Sequence, residues 1–186
     1  MSGLRLPKDR TLHFTKQVDQ VSIAELTRSI VEIVEDDEYL TGLYKLHGLD
    51  YQPLPIKIYI DSYGGAVYQC MGLIGIMERS TTPIHTIVTG VAMSCGFLIT
   101  IAGHKRFCYP TSTLLYHQIS SVKAGTLKDI EDDVIEMKRL QKWVDDLTIR
   151  KTGIKKARLK EVYKEKIDWY IPAEEALELG VIDDIL

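Results

Sequence analysis

The spacing of apolar positions changes several times along the chain, and each change predicts an element. Residues 11–18 alternate enough to be a strand. From Ser22 the period becomes helical. Ile23, Leu26, Ile30, Val31 and Val34 recur in steps that place them on one face, and Ser22 with Glu25 three positions later reads as a capping box. Residues 36–55 are mixed and carry Gly42, Gly48, Pro53 and Pro55, which predicts a long loop with at most a helical turn. Residues 56–60 form a strand that runs into Asp61-Ser62-Tyr63-Gly64-Gly65. A helix follows with Val67, Cys70, Met71, Ile74 and Met77 on one side. Residues 84–89 are again β-rich. They lead through Gly90 to Ser94 and the apolar run 97–102, predicting strand, tight glycine turn, serine and helix.

Short strands are expected at 106–109, stopped by Pro110, and at 113–117. Residues 126–150 then read as one helix, with Leu127, Ile130, Val134, Met137, Leu140, Val144 and Leu147 stepping by three or four. Its length of ~36 Å exceeds what a small domain needs for its own core, which suggests a helix that projects and packs on another copy. Residues 151–166 are basic but interleaved with Glu161 and Glu165, as on a solvated helix face. Asp168 stands beside the bulky run at 169–171. Pro172 opens a short helix over 173–179, and Gly180 ends it. Strands alternating with helices predict an α/β fold of repeated βαβ units, with parallel pairing and right-handed crossovers, in a single domain over residues 1–186.

Composition narrows the function classes. The 186 residues are 45% apolar and 26% charged, a globular composition. A net charge of −3 gives no reason to expect nucleic acid or an anionic membrane as partner. The uncharged span 80–104 is long enough to cross a bilayer, but Pro83, Gly90 and Gly96 break it. Cys70, Cys95 and Cys108 are odd in number and without CxxC spacing. They suit a reducing compartment and point to neither a disulfide framework nor a metal site. The first ten residues hold no apolar h-region, so no secretory signal is expected.

In a parallel α/β sheet, sites collect at the carboxyl ends of strands. Gly64-Gly65, Ser94 and His117 all fall just past predicted strand ends. Each has a plain structural explanation when taken singly: a tight turn, a serine bonded back to its own helix, a packed histidine. The chemical explanation joins them. Ser94 is followed at once by Cys95 and Gly96 at the mouth of a helix, as in a nucleophile elbow, although Ala92 replaces the usual first glycine. His117 is a general base, Asp168 can orient its imidazole, and Gly-Gly frees backbone N–H groups for an oxyanion.

Four stretches carry a resemblance. Asp61-Ser62-Tyr63-Gly64-Gly65, Gly90-Val91-Ala92-Met93-Ser94-Cys95-Gly96, Tyr116-His117-Gln118, and Asp168 followed by the Pro172 to Asp183 segment are similar, in order and spacing, to the proteolytic subunit of the caseinolytic (Clp) protease. The resemblance runs from about residue 11 to the C-terminus. It implies a crotonase-like α/β fold with a projecting handle helix, here about 126–150. It implies a Ser94–His117–Asp168 triad with an oxyanion hole at the N–H groups of Gly65 and Cys95, and neither a metal nor another cofactor. It also implies cytoplasmic serine endopeptidase subunits forming heptameric rings, stacked as a double ring, that cut polypeptide substrates fed by an ATP-dependent Clp unfoldase. The chain itself has no P-loop.

The chain departs from the family pattern in several places. Asp61 and Tyr63 stand in a motif that is usually Asn-Ser-Pro-Gly-Gly. Ile119 and Ser120-Ser121 replace a proline and a glycine pair. Ile167 stands where an arginine of the ring-to-ring contact is common. The segment before the first strand is short, and the 36–55 connection is long. Two alternatives therefore stay open beside the ring protease: a phage-type maturation protease that works without an unfoldase, and a non-catalytic or acyl-thioester-binding member of the same fold.

Overall fold

A computed structural model describes residues 9–186; the expectations about the extreme N-terminus lie outside the described residues. Strands β1 (Thr11–Phe14), β2 (Ile56–Ser62), β3 (Ile84–Met93) and β4 (Lys105–Cys108) lie side by side and parallel. Helices α1 (Gln20–Leu46), α2 (Val67–Arg79) and α3 (Cys95–Ala102) connect them. These are the expected βαβ units. Strand β2 alternates buried and exposed positions, with Ile56, Ile58 and Ile60 fully in the core.

On the edge away from β2, the ten-residue β3 pairs with two strands in succession. His85 to Val88 pair with β4, and Val91 to Met93 pair with β5 (Thr113–Tyr116). Strand β6 (Trp169–Pro172) runs antiparallel to β5, and α6 (Ala173–Glu178) leads to the short β7 (Asp184–Ile185), which closes the edge at β4. All eight residues of α3 are buried. The charge-free span 80–104 is thus explained by a central strand followed by a central helix. No helix among the described residues is long and apolar enough to cross a membrane.

Four expectations need correction. The first strand stops at Phe14, and Val18 makes one isolated bridge, to Gly65. Helix α1 begins earlier than Ser22, because Asp19 is the better cap: its carboxylate accepts from the N–H groups of Val21 and Ser22, while Ser22 Oγ accepts from the Asp19 N–H. Helix α1 also continues to Leu46, through residues expected to form a loop. Tertiary bonds override the glycine and proline signals there. Asp37, only 2% exposed, accepts from Arg10 at 2.5 and 2.8 Å, from Thr82 at 2.7 Å and from the Tyr51 hydroxyl at 2.8 Å. Finally, there is no glycine turn before the serine. Gly90 lies within β3, and the Asp61 carboxylate accepts from Val91 N–H at 2.9 Å where the β2–β3 register shifts.

The long helix α4 (Leu127–Lys151) starts at a capping box between Thr126 and Asp129. Only Leu140, Val144, Leu147 and Thr148 are buried, all in its second half. Its first half projects, with Leu127, Ile130, Val134 and Ile135 exposed. Helix α5 (Lys156–Glu165) follows, touches α4 and buries Leu159 and Val162.

Candidate active site

Strand register decides which side chains meet. Met93 pairs with Leu115, and Ser94 N–H donates to Leu115 O at 3.0 Å, so the residue ending β3 faces the residues ending β5. The antiparallel β5–β6 pairing sets Tyr116 against Trp169, which brings the next residue, His117, alongside Asp168. His117 Nδ1 lies 3.8 Å from Asp168 Oδ1. That contact leaves Nε2 as the ring nitrogen free for a second group. The imidazole is 28% exposed and the carboxylate 62%, so the pair sits at the mouth of the site rather than deep inside it.

Ser94, His117, Gly65 and Cys95 line one cavity of about 70 Å³. Val67, Leu98 and Val144 supply apolar walls. Ser94 stands at the N-terminal cap of α3 with φ 54° and ψ −118°. Positive φ in a non-glycine residue is costly and persists only where the surroundings enforce it. Here the enforcement comes from β3 on one side and the buried α3 on the other. A strained serine between strand and helix is the geometry of a nucleophile elbow.

Two backbone donors border that serine. Cys95 is the first residue of α3, and the leading N–H groups of a helix have no intrahelical acceptor. Gly65 is held by its neighbours: Val18 N–H donates to Gly64 O, and Ala66 N–H donates to Val18 O, each at 2.8 Å. The Gly65 N–H itself meets no acceptor among the described residues. Gly64 and Gly65 have φ of 92° and 147°, conformations that side chains resist.

Two thiols lie at or behind this site. Cys95 Sγ donates to Gly65 O at 3.2 Å, and Cys70 Sγ donates to Cys95 O at 3.6 Å. The hydrogen bond with Cys95, together with burial, pushes the Cys70 thiol up, which keeps it protonated and unreactive.

Sequence reasoning passed over one support. Gln141 on α4 accepts from Ile119 N–H at 2.8 Å, and its amide donates to Asp145 at 2.7 Å and to the Tyr116 hydroxyl at 3.2 Å. Tyr116 in turn donates to Asp145 at 2.5 Å. Burial first, then the Asp145 bond, pushes the Tyr116 hydroxyl well up, so it stays a donor. This network fixes both ends of the His117 segment. A glutamine on a polar-rich helix carries no sequence signal of such a role.

The geometry brings together all five residues expected at the site. Ser94, His117, Gly65 and Cys95 share the cavity, and Asp168 reaches it through His117. Such a set suits acyl transfer: a serine, a base beside it, a carboxylate on the base, and two backbone N–H groups bordering the serine. Among the described residues, no group of three or more His, Cys, Asp or Glu side chains gathers as a metal site.

Comparison with known proteins agrees in kind. The family model described as Clp protease matches residues 5–186. The chain is 31% identical over 133 residues to a protein of Deinococcus radiodurans named ATP-dependent Clp protease proteolytic subunit. That alignment covers 70% of this chain and 64% of the relative, so the chain spans under two thirds of that protein's length.

Proposed function

The chain belongs to the Clp protease family, and from that premise we propose that it is a serine endopeptidase subunit cutting polypeptides with Ser94, His117 and Asp168. Ser94 Oγ attacks the scissile carbonyl while His117 Nε2 takes its proton. Asp168, facing Nδ1, holds the ring in the tautomer that leaves Nε2 free. The N–H groups of Gly65 and Cys95 receive the oxyanion. His117 then returns the proton to the leaving amine, the acyl-enzyme remains on Ser94, and water activated by the same imidazole releases it.

The observation that carries this reading is the backbone of Ser94. Its φ of 54° at the strand–helix junction holds the hydroxyl in a cavity shared with His117. The 3.8 Å His117–Asp168 separation suits a resting site, since catalytic hydrogen bonds tighten when substrate binds.

The same reading includes assembly. The projecting start of α4, where Leu127, Ile130 and Ile135 are exposed, supports a handle buried between copies, in heptameric rings that stack. Polypeptides delivered by an ATP-dependent unfoldase in the cytoplasm are the expected substrates. Tyr63, 76% exposed next to Gly64, adds an aromatic surface beside the oxyanion hole.

A fluorophosphonate that esterifies activated serines tests the reading by intact mass. One adduct per subunit, absent from Ser94→Ala, is expected. No adduct on a correctly folded and assembled protein would reject Ser94 as nucleophile.

A further inference from the structure

Beside the serine cavity lies a larger groove of about 610 Å³ between α4 and α5. The two adjoin, and Gln118 and Ile119 line both. The groove has an apolar floor that includes Ile119, Met137 and Ile149. Its rim is basic: Lys138 and Lys142 from α4, Lys156 and Lys160 from α5, and Lys166 at the end of α5. Spacing of four residues puts each helical pair one turn apart on one face, so two lysine rows border the groove.

Two observations single these lysines out. The first is that four of the five lack an acidic partner. Asp146 pairs with Lys142, and Asp145 is taken up by Tyr116 and Gln141. Among the described residues, no acidic side chain pairs with Lys138, Lys156, Lys160 or Lys166. The second is their placement. Helix α5 opens at Lys155-Lys156 with no acidic residue in its first turn. A cation at a helix N-terminus opposes the macrodipole, so Lys156 does not serve the helix. The lysines concentrate positive charge in one groove of a chain whose net charge is −3.

We propose that this groove is an extended substrate subsite that selects polypeptides with acidic residues near the scissile bond, an inference that rests on the peptidase reading of Ser94. The apolar floor takes an aliphatic or aromatic side chain, and the lysine rows take carboxylates on either side of it. A second copy of the chain is the rival occupant, since the first half of α4 is acidic. Those acids already have partners within their own chain: Asp129 bonds Thr126, Glu131 and Asp132 pair with Lys128, and Asp133 pairs with Lys123. The free lysines therefore favour an anionic ligand from outside.

The test uses the assembled full chain carrying Ser94→Ala, so binding is read without cleavage. Two fluorescent peptides share a central leucine; one is flanked by glutamates and the other by lysines. The acidic peptide should bind about tenfold tighter at low salt, and the difference should shrink in about 0.5 M salt, where exposed charges are screened. Lys156→Glu with Lys160→Glu should reverse the preference. Lys138→Glu, on the other helix, should weaken it independently. Equal affinity for the two peptides overturns the proposal. So does a charge reversal that changes assembly size but leaves peptide preference intact, which would assign the groove to a second copy. Cleavage of an uncharged peptide by the unmodified chain is scored separately. Acid-selective binding without any cleavage would reject the peptidase reading and keep the groove.

Discussion

Gly64 lies directly against Ser94: a Cβ on Gly64 would fall 2.8 Å from the serine Cβ, 2.6 Å from Met93 O and 2.9 Å from Cys95 N. These neighbours are mostly backbone and cannot swing aside. At φ 92° an L side chain is strained whatever the space. Gly64→Ala should therefore cost about 1–3 kcal/mol of stability, the usual range for an enforced unfavourable conformation, and displace the serine elbow. Thermal melting should show the first effect and loss of fluorophosphonate labelling the second. A variant that melts and labels like the parent would mean that the Gly64 contact does not fix the site.

Asp168 should be the softest member of the triad. In buried triads, the change from aspartate to asparagine costs about 10⁴-fold in kcat. Asp168 is 62% exposed and 3.8 Å from its imidazole, so solvent screens it. Asp168→Asn should lower kcat for a model peptide by about 10²- to 10³-fold, and His117→Ala should abolish turnover. Equal losses in the two variants would show that the aspartate closes on the histidine during catalysis.

The buried Asp37 network should mark the acid limit of stability. Burial pushes the Asp37 carboxyl up, but bonds from Arg10, Thr82 and Tyr51 outweigh it and hold the group below its ordinary value of 3.8. A depressed folded pKa means that the network's stabilisation is complete above that ordinary value and is lost as pH falls through the lower folded one. Asp37→Asn should remove it at every pH. It leaves the Arg10 guanidinium without its carboxylate, at a cost of about 3 kcal/mol. Denaturant midpoints against pH should fall for the parent at the acid end and stay flatter for the variant. Parallel curves would place the acid sensitivity elsewhere.

The sequence made the site more legible than its scaffold. Ser94, His117 and Gly65 stood out because each follows an apolar strand in a chain of alternating strands and helices, and that placement survives errors in element ends. What stayed hidden depends on contacts distant in sequence. Residues 36–46 continue α1 because Arg10, Tyr51 and Thr82 converge on Asp37, which no local pattern announces. Gly90 signalled a turn but lies inside a strand, where a Cβ would meet the Asp61 carboxylate at 2.7 Å. The double pairing of β3, which brings Ser94 and His117 to one cavity, follows from register and not from composition.

Assembly provides the last prediction. The start of α4 exposes Leu127 at 74% and Ile135 at 64%, with Ile130 beside them. Apolar residues stacked along one projecting helix mark an interaction surface, whereas scattered ones do not. The fold itself does not need them, since the buried part of α4 lies further along at Leu140, Val144 and Leu147. Ile135→Asp should leave the melting of the isolated subunit within about 0.5 kcal/mol, as for other exposed positions. It should nonetheless shift the assembly to smaller species in sedimentation or native mass measurements. If peptide cleavage depends on the ring, activity should fall in step with the loss of the larger species. An assembly of unchanged size would show that these residues face solvent in the oligomer and that the contact between copies lies elsewhere.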